Sequence, residues 1–141
     1  MDAIQNFKTL YSELCDITPD DLPKVYSDDV TFIDPVCSHE GIKAVQKYFD
    51  GLLTNASSCK FEIHEVINCS DASITHVVNW TMHLKLKKSS KLILLNGTSQ
   101  LKVAGDKISY HKDYYDLGEM VYEHIPVLGF IVKKIKAKLA K

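Results

Sequence analysis

The stretch ITHVVNWTMHLKL, residues 74–86, alternates between two kinds of side chain along its length. Even positions carry Ile74, His76, Val78, Trp80, Met82, Leu84 and Leu86; odd positions are mainly polar, with Thr75, Asn79, Thr81, His83 and Lys85. Successive side chains of a strand point to opposite faces, so the pattern predicts a strand with one buried face and one wet face. Such a face needs neighbours. Just upstream, Phe61 and Ile63 alternate with Lys60, Glu62 and His64. Residues 92–103 and 108–115 read as two more strands, joined by a turn at Ala104-Gly105-Asp106-Lys107. Asn96-Gly97 is a hairpin signal by composition. Inside a run of strand residues it reads better as a bulge or kink.

The first half of the chain has a different period. Ile4, Phe7, Leu10, Tyr11 and Leu14 recur at helical spacing over residues 2–16. Thr18-Pro19-Asp20-Asp21 is a helix start: a hydroxyl cap, a proline in the first turn and acids at the positive end. It predicts a short helix to Tyr26. VTFIDP reads as a brief strand stopped by Pro35. Residues 40–54 read as a third helix, with Ile42, Val45, Phe49 and Leu52 or Leu53 on one side. Helices first and antiparallel strands afterwards make an α+β layout, with helices packed on one face of a curved sheet. Beyond the last strand, Asp116 can cap a short helix to His124, which Pro126 breaks. Residues 127–140 then form an amphipathic helix with Leu128, Ile131, Ile135 and Leu139 on one face.

At 141 residues, 45% hydrophobic and 25% charged, the chain fits one soluble domain with one core. All 17 basic residues are lysine. Residues 127–141 hold five lysines and no acid, so the rest sets 12 lysines against 18 acids, a net charge of −6. Arginine is the usual fork for phosphate and guanine. Its absence, with the acidic body, argues against nucleic-acid recognition. Cys15, Cys37, Cys59 and Cys69 form no CxxC pair and do not cluster with histidine at zinc spacing. No metal and no cofactor is therefore expected. MDAIQNFKTL lacks the apolar run of a secretion signal, so the reading is a cytoplasmic protein with reduced thiols.

YSDDVTFIDPV followed by GIKAVQKYF, and a last strand of the form I-x-x-H-x-D-Y-Y-D after a glycine turn, resemble the SnoaL-like or nuclear transport factor 2-like superfamily. The resemblance covers residues 2–117. It implies a cystatin-like cone: three helices wrapped by a bent, mixed or antiparallel sheet around a pocket. Residues 1–117 would form that domain and 118–141 a helical extension. Many members dimerise through the outer sheet face, so a homodimer is expected. Members include ketosteroid isomerase, limonene epoxide hydrolase, scytalone dehydratase, polyketide cyclases and many non-enzymes. Function therefore has to be read from the pocket.

Asp34, in FIDPV, matches the general base of ketosteroid isomerase. An aspartate before a proline at a strand end can point into an apolar cavity and serve as a base. Equally, Asp-Pro can simply end the strand and cap a turn. Tyr11 lies one gap away from that enzyme's oxyanion tyrosine, and Ser99 stands where it has a neutral aspartic acid. Asp113 matches the water-activating aspartate of limonene epoxide hydrolase, with His111 in place of a tryptophan. Trp80 and Met82 replace the Arg-x-Asp pair that hydrolase also needs. His111, Asp113 and Tyr115 share one strand face. The resemblance turns this face toward the pocket and leaves Tyr110 and Tyr114 for a partner subunit. His111 and Asp113 would then meet, as an acid–base site or as a polar network that satisfies itself. Trp80 and Met82 would wall a cavity for an apolar ligand. His76 faces inward; His39, His64, His83 and His124 read as surface residues.

Two functions fit these residues. One is a domain whose pocket, with Tyr11, Trp80, Met82, Ser99 and Tyr115, holds a small, mostly apolar molecule. The alternative is a cofactor-free isomerase, hydrolase or cyclase using Asp34, His111 and Asp113 for proton transfer. The basic tail helix is expected to pack across the cone or its dimer mate, burying Leu128, Phe130 and Ile131. A second reading sets its lysines against anionic lipid.

Overall fold

The computed structural model of the chain describes residues 2–71, 73–89, 91–120 and 127–141. Helix α1 (Ala3–Ser12) starts where Asp2 accepts from the Gln5 amide at 2.8 Å, and it buries Phe7, Leu10 and Tyr11. A 3-10 turn, Leu14–Asp16, follows. Glu13 caps it by accepting from the Cys15 amide at 3.0 Å, and also takes the Cys59 amide and the Ser58 hydroxyl, each at 2.9 Å. One carboxylate thus ties the end of α1 to the sheet. Burial pushes the Glu13 carboxyl up, but these hydrogen bonds outweigh it and hold it below its ordinary value.

The Thr18 start is followed by a 3-10 helix, Pro19–Lys24. Asp21 accepts from the Thr18 amide at 2.9 Å and from the Lys24 ammonium at 3.0 Å. The helix ends short of Tyr26: the Pro23 and Lys24 carbonyls accept from the Lys107 ammonium at 2.9 and 3.1 Å rather than from further helix amides. Tyr26 instead opens strand β1 (Tyr26–Ile33), which is longer than the apolar run VTFI indicates. Then come β2 (Ser38–Glu40), α2 (Ile42–Thr54), β3 (Ala56–Asn68), β4 (His76–Leu86), β5 (Leu92–Ala104) and β6 (Lys107–Tyr115). They form one six-stranded sheet in the order β2-β1-β6-β5-β4-β3. The β1–β6 pair is parallel and every other pair is antiparallel, so the sheet is mixed. Phe7, Leu14, Leu22, Val45 and Phe49 from the helical side join Val78, Leu95, Leu101 and Ile108 in one core.

The alternation in β4 is realised: Val78, Trp80, Met82 and Leu84 are buried, and the residues between them are not. Asn96-Gly97 makes neither a turn nor a bulge. β5 runs through it in unbroken register with β4, and Gly97 faces Trp80. A Cβ on Gly97 would lie 2.2–2.7 Å from the indole carbons. Glycine stands there because the tryptophan ring lies over the backbone. The irregularities fall elsewhere: at Ser57 and His64 in β3, at Ser109 in β6, and between Tyr26 and Thr31 where β1 pairs with β6.

Asp116 accepts from the Glu119 amide at 3.2 Å and opens α3 (Leu117–Met120). The predicted continuation to His124 and the break at Pro126 lie outside the described residues. Helix α4 (Leu128–Leu139) forms as its spacing predicts, but within the single chain it does not bury the expected side chains against the cone. Leu128, Phe130 and Ile131 are exposed, as are Ile135 and Leu139. α4 meets α3 by another edge, where Val132 and Lys136 lie beside Gly118. The Lys136 ammonium also pairs with Asp116 at 2.5 Å. That ion pair and the small Gly118 fix the helix by this edge, which turns the apolar stripe outward.

Candidate functional site

A cavity of about 270 Å³ opens between the helices and the sheet. Its wall is apolar and aromatic, including Phe32, Phe49, Phe61, Trp80, Met82 and Leu95. Tyr11 reaches it from α1, Tyr48 from α2 and Met120 from α3. Two carboxylates line it, Asp34 and Asp113. The β6 face expected to point inward does so, with Asp113 and Tyr115 on the wall and His111 buried beneath it. Tyr114 points out, with the Lys112 ammonium over its ring at 4.9 Å.

Asp34 sits at the end of β1, in a turn that it closes itself. Its Oδ1 accepts from the Val36 amide at 2.8 Å and the Cys37 amide at 3.0 Å, and its own amide donates to the Cys37 carbonyl at 3.0 Å. Its Oδ2 accepts from the Tyr48 hydroxyl. Burial, and then the Asp34 carboxylate, push the Tyr48 phenol far above its ordinary range. The His39 ring stacks on Tyr48 at 4.2 Å, and its buried Nε2 has no hydrogen-bond partner among the described residues. His39 is thus half-buried rather than the surface residue its context indicates. Alternation toward the buried Phe32 could not show the stacking.

Asp113 is held by strand register. Ser99 lies directly opposite it across the β5–β6 ladder, and His111 lies two residues back on the same face. The Ser99 hydroxyl donates to Asp113 Oδ1 at 2.5 Å and itself accepts from Trp80 Nε1 at 2.9 Å. His111 Nε2 meets the same Oδ1 at 2.6 Å. On the other side of the ring, His111 Nδ1 meets the Tyr26 hydroxyl at 2.8 Å, which meets the Tyr11 hydroxyl at 2.7 Å. The other Asp113 oxygen takes no hydrogen bond among the described residues. Asp113 retains partial exposure, whereas His111 is sealed at 1%. Phe32 and Phe7 pack on the His111 ring at centroid distances of 4.4 and 5.8 Å.

Six side chains from five elements therefore make one buried chain that runs from Tyr11 to Trp80. His111 and Ser99 are not on the cavity wall. Ser99, read from sequence as a pocket residue, holds a pocket residue in place, as His111 does. Burial pushes the Tyr11 and Tyr26 phenols well up, so each keeps its proton at neutral pH. Sequence reasoning missed Tyr26 and Tyr48. Tyr48 follows Val45 by three residues, on the core side of α2, and that spacing was its signal. Tyr26 precedes a polar Ser-Asp-Asp run and carried none. No group of three or more metal-ligating side chains converges among the described residues.

A helix-backed mixed sheet around an apolar cavity, with carboxylates on its wall, defines a small-pocket class of α+β domain. The profile of the SnoaL-like domain matches residues 9–111, and the chain belongs to that family. No curated protein sequence matches it. Solved structures share the fold at low identity. A hypothetical protein of ketosteroid isomerase-like fold from Catenulispora acidiphila, in complex with trimethylamine, aligns with a TM-score of 0.71 and 13% identity, covering 83% of this chain and 87% of that one. A putative SnoaL-like polyketide cyclase from Shewanella denitrificans aligns at 0.68 and 17%, covering 84% and 90%. A putative scytalone dehydratase from Novosphingobium aromaticivorans aligns at 0.66 and 13%, covering 82% and 80%.

Proposed function

We propose that the chain is an enzyme of proton transfer on a small, mostly apolar ligand, with Asp113 as the general base. One observation carries this reading: Asp113 stands on an apolar cavity wall with one oxygen held by His111 and Ser99 and the other without a hydrogen bond among the described residues. A base fixed in this way needs no rearrangement before it takes a proton. Asp34 is the weaker candidate, because all its hydrogen bonds serve the turn and Tyr48.

The buried chain orients the base. With Asp113 ionised, Ser99 and His111 Nε2 both donate to it. His111 Nδ1 then accepts from Tyr26, and Tyr26 accepts from Tyr11. A proton removed from a carbon beside a carbonyl would pass to the free Asp113 oxygen and leave its electron pair on the carbonyl oxygen as an enolate. Returning that proton from Asp113 to another carbon of the same conjugated system completes an isomerisation with atoms and charge balanced.

The test is hydrogen–deuterium exchange at the α-carbon of a panel of apolar cyclic ketones, followed by proton NMR. Wild type should exchange at least one of them. Asp113→Asn should lose about 100- to 10,000-fold, and Asp34→Asn far less. No exchange by wild type across the panel, or equal rates in wild type and Asp113→Asn, overturns the proposal. The outward Leu92, Leu94 and Tyr114 are exposed, which supports pairing of two copies through the outer sheet face.

A further inference from the structure

Helix α4 carries an apolar stripe that the described residues do not cover. Leu128, Ile131, Ile135 and Leu139 recur at three- and four-residue spacing, and all are exposed, Leu139 by 80%. At about 100° per residue, Lys134 and Lys138 run along one edge of the stripe. Lys133 lies beyond the opposite edge, which holds Val132 and Lys136 against α3. Two copies of α4 packed stripe to stripe would bring lysine against lysine, since residues 127–141 contain no acid. An anionic bilayer matches both features: the apolar side chains enter the acyl boundary and the ammonium groups stay among the headgroups.

The cavity supplies a second observation. Val36 and Leu52 line it and are nevertheless exposed, so its mouth has an apolar rim. Met120 also lines it, from α3, and that four-residue helix holds α4 through Gly118 and Asp116. The cavity wall and the basic helix are therefore joined by one short element. The rest of the chain carries a net charge of −6, so an anionic surface repels it and admits the chain by its basic end.

We propose that α4 is a reversible docking surface for anionic lipid membranes and that the cavity takes its apolar ligand from the bilayer. Docking is interfacial. Among the described residues no helix is long and apolar enough to cross a membrane. The proposal does not depend on whether Asp113 performs chemistry.

Co-sedimentation of the full chain with vesicles tests it. The chain should pellet with phosphatidylcholine vesicles that contain phosphatidylserine and stay in solution with phosphatidylcholine alone. Added salt should release it. Lys134→Gln and Lys138→Gln should each weaken binding about fivefold. Ile131→Ser with Ile135→Ser should abolish binding, with the near-ultraviolet circular dichroism unchanged because both side chains are exposed. Equal pelleting with both vesicles, or none with either, overturns the proposal. So does a serine double variant that turns a dimer into a monomer in light scattering and still binds vesicles as wild type does, for then a second copy occupies the stripe.

Discussion

Asp34 and Asp113 line one cavity and are held in different ways. Asp34 is bound by its own turn: two backbone amides take one oxygen and a phenol takes the other. Asp113 is bound by side chains of neighbouring strands, which gather on one oxygen only. A carboxylate that satisfies backbone donors is part of the fold and has little left for a ligand. A carboxylate steadied from behind keeps an oxygen for chemistry. Equal membership of a pocket wall therefore does not mean equal roles.

The contrast can be broken in several ways, and the largest effect is on rate. Asp113→Asn should lower ketone exchange by about 100-fold or more relative to Asp34→Asn; similar losses in both would erase the distinction. Stability should rank them the other way. Asp34→Ala strands two amides and the Tyr48 hydroxyl, and should cost about 2–3 kcal/mol in urea unfolding. Asp113→Asn keeps an oxygen for both donors and should cost under about 1 kcal/mol. Tyr26→Phe cuts the chain between Tyr11 and His111. It should cost about 1–2 kcal/mol and lower exchange while leaving the Asp34 turn untouched.

Smaller effects appear on titration. The buried Tyr11 and Tyr26 phenols have raised folded-state pKa values. Their contribution to stability is complete below the unfolded value of 10.0 and is lost as pH rises past it toward the folded values. Thermal melts should fall steeply above that pH, and less steeply in Tyr26→Phe. Glu13 has the opposite sign. Its folded pKa is depressed below the ordinary 4.5, so its contribution is present above that value and is lost as pH falls through the folded one. Glu13→Gln should cost about 1 kcal/mol at neutral pH and nothing in acid, as urea midpoints at the two pH values would show.

Legibility from sequence followed the range of the interaction. The alternation of Trp80 and Met82 and the Asp116 cap are set by neighbours one to four residues away, and a periodic reading recovers them. The inward turn of His111, Asp113 and Tyr115 needed the family pattern as well, because Ile108, Tyr110 and Tyr114 on the alternate face are more apolar. Tyr26 was lost because the parallel β1–β6 pairing, which joins residues about eighty positions apart, decides where β1 begins. The exposure of α4 was lost for a related reason. Its amphipathic pattern says that one face prefers an apolar contact, but it does not say that the contact lies within the same chain.

Gly97 and Trp80 form a lock with an evolutionary consequence. The indole occupies the space that a Cβ at position 97 would need, so an alanine there is tolerated only once the ring has shrunk or moved. The reverse step, a smaller residue at 80 beside Gly97, opens a void and releases the Ser99 hydroxyl from its donor. Neither change is passable alone, so among descendants of a common ancestor the two positions should covary, and a lineage that alters one should carry a matched change in the other.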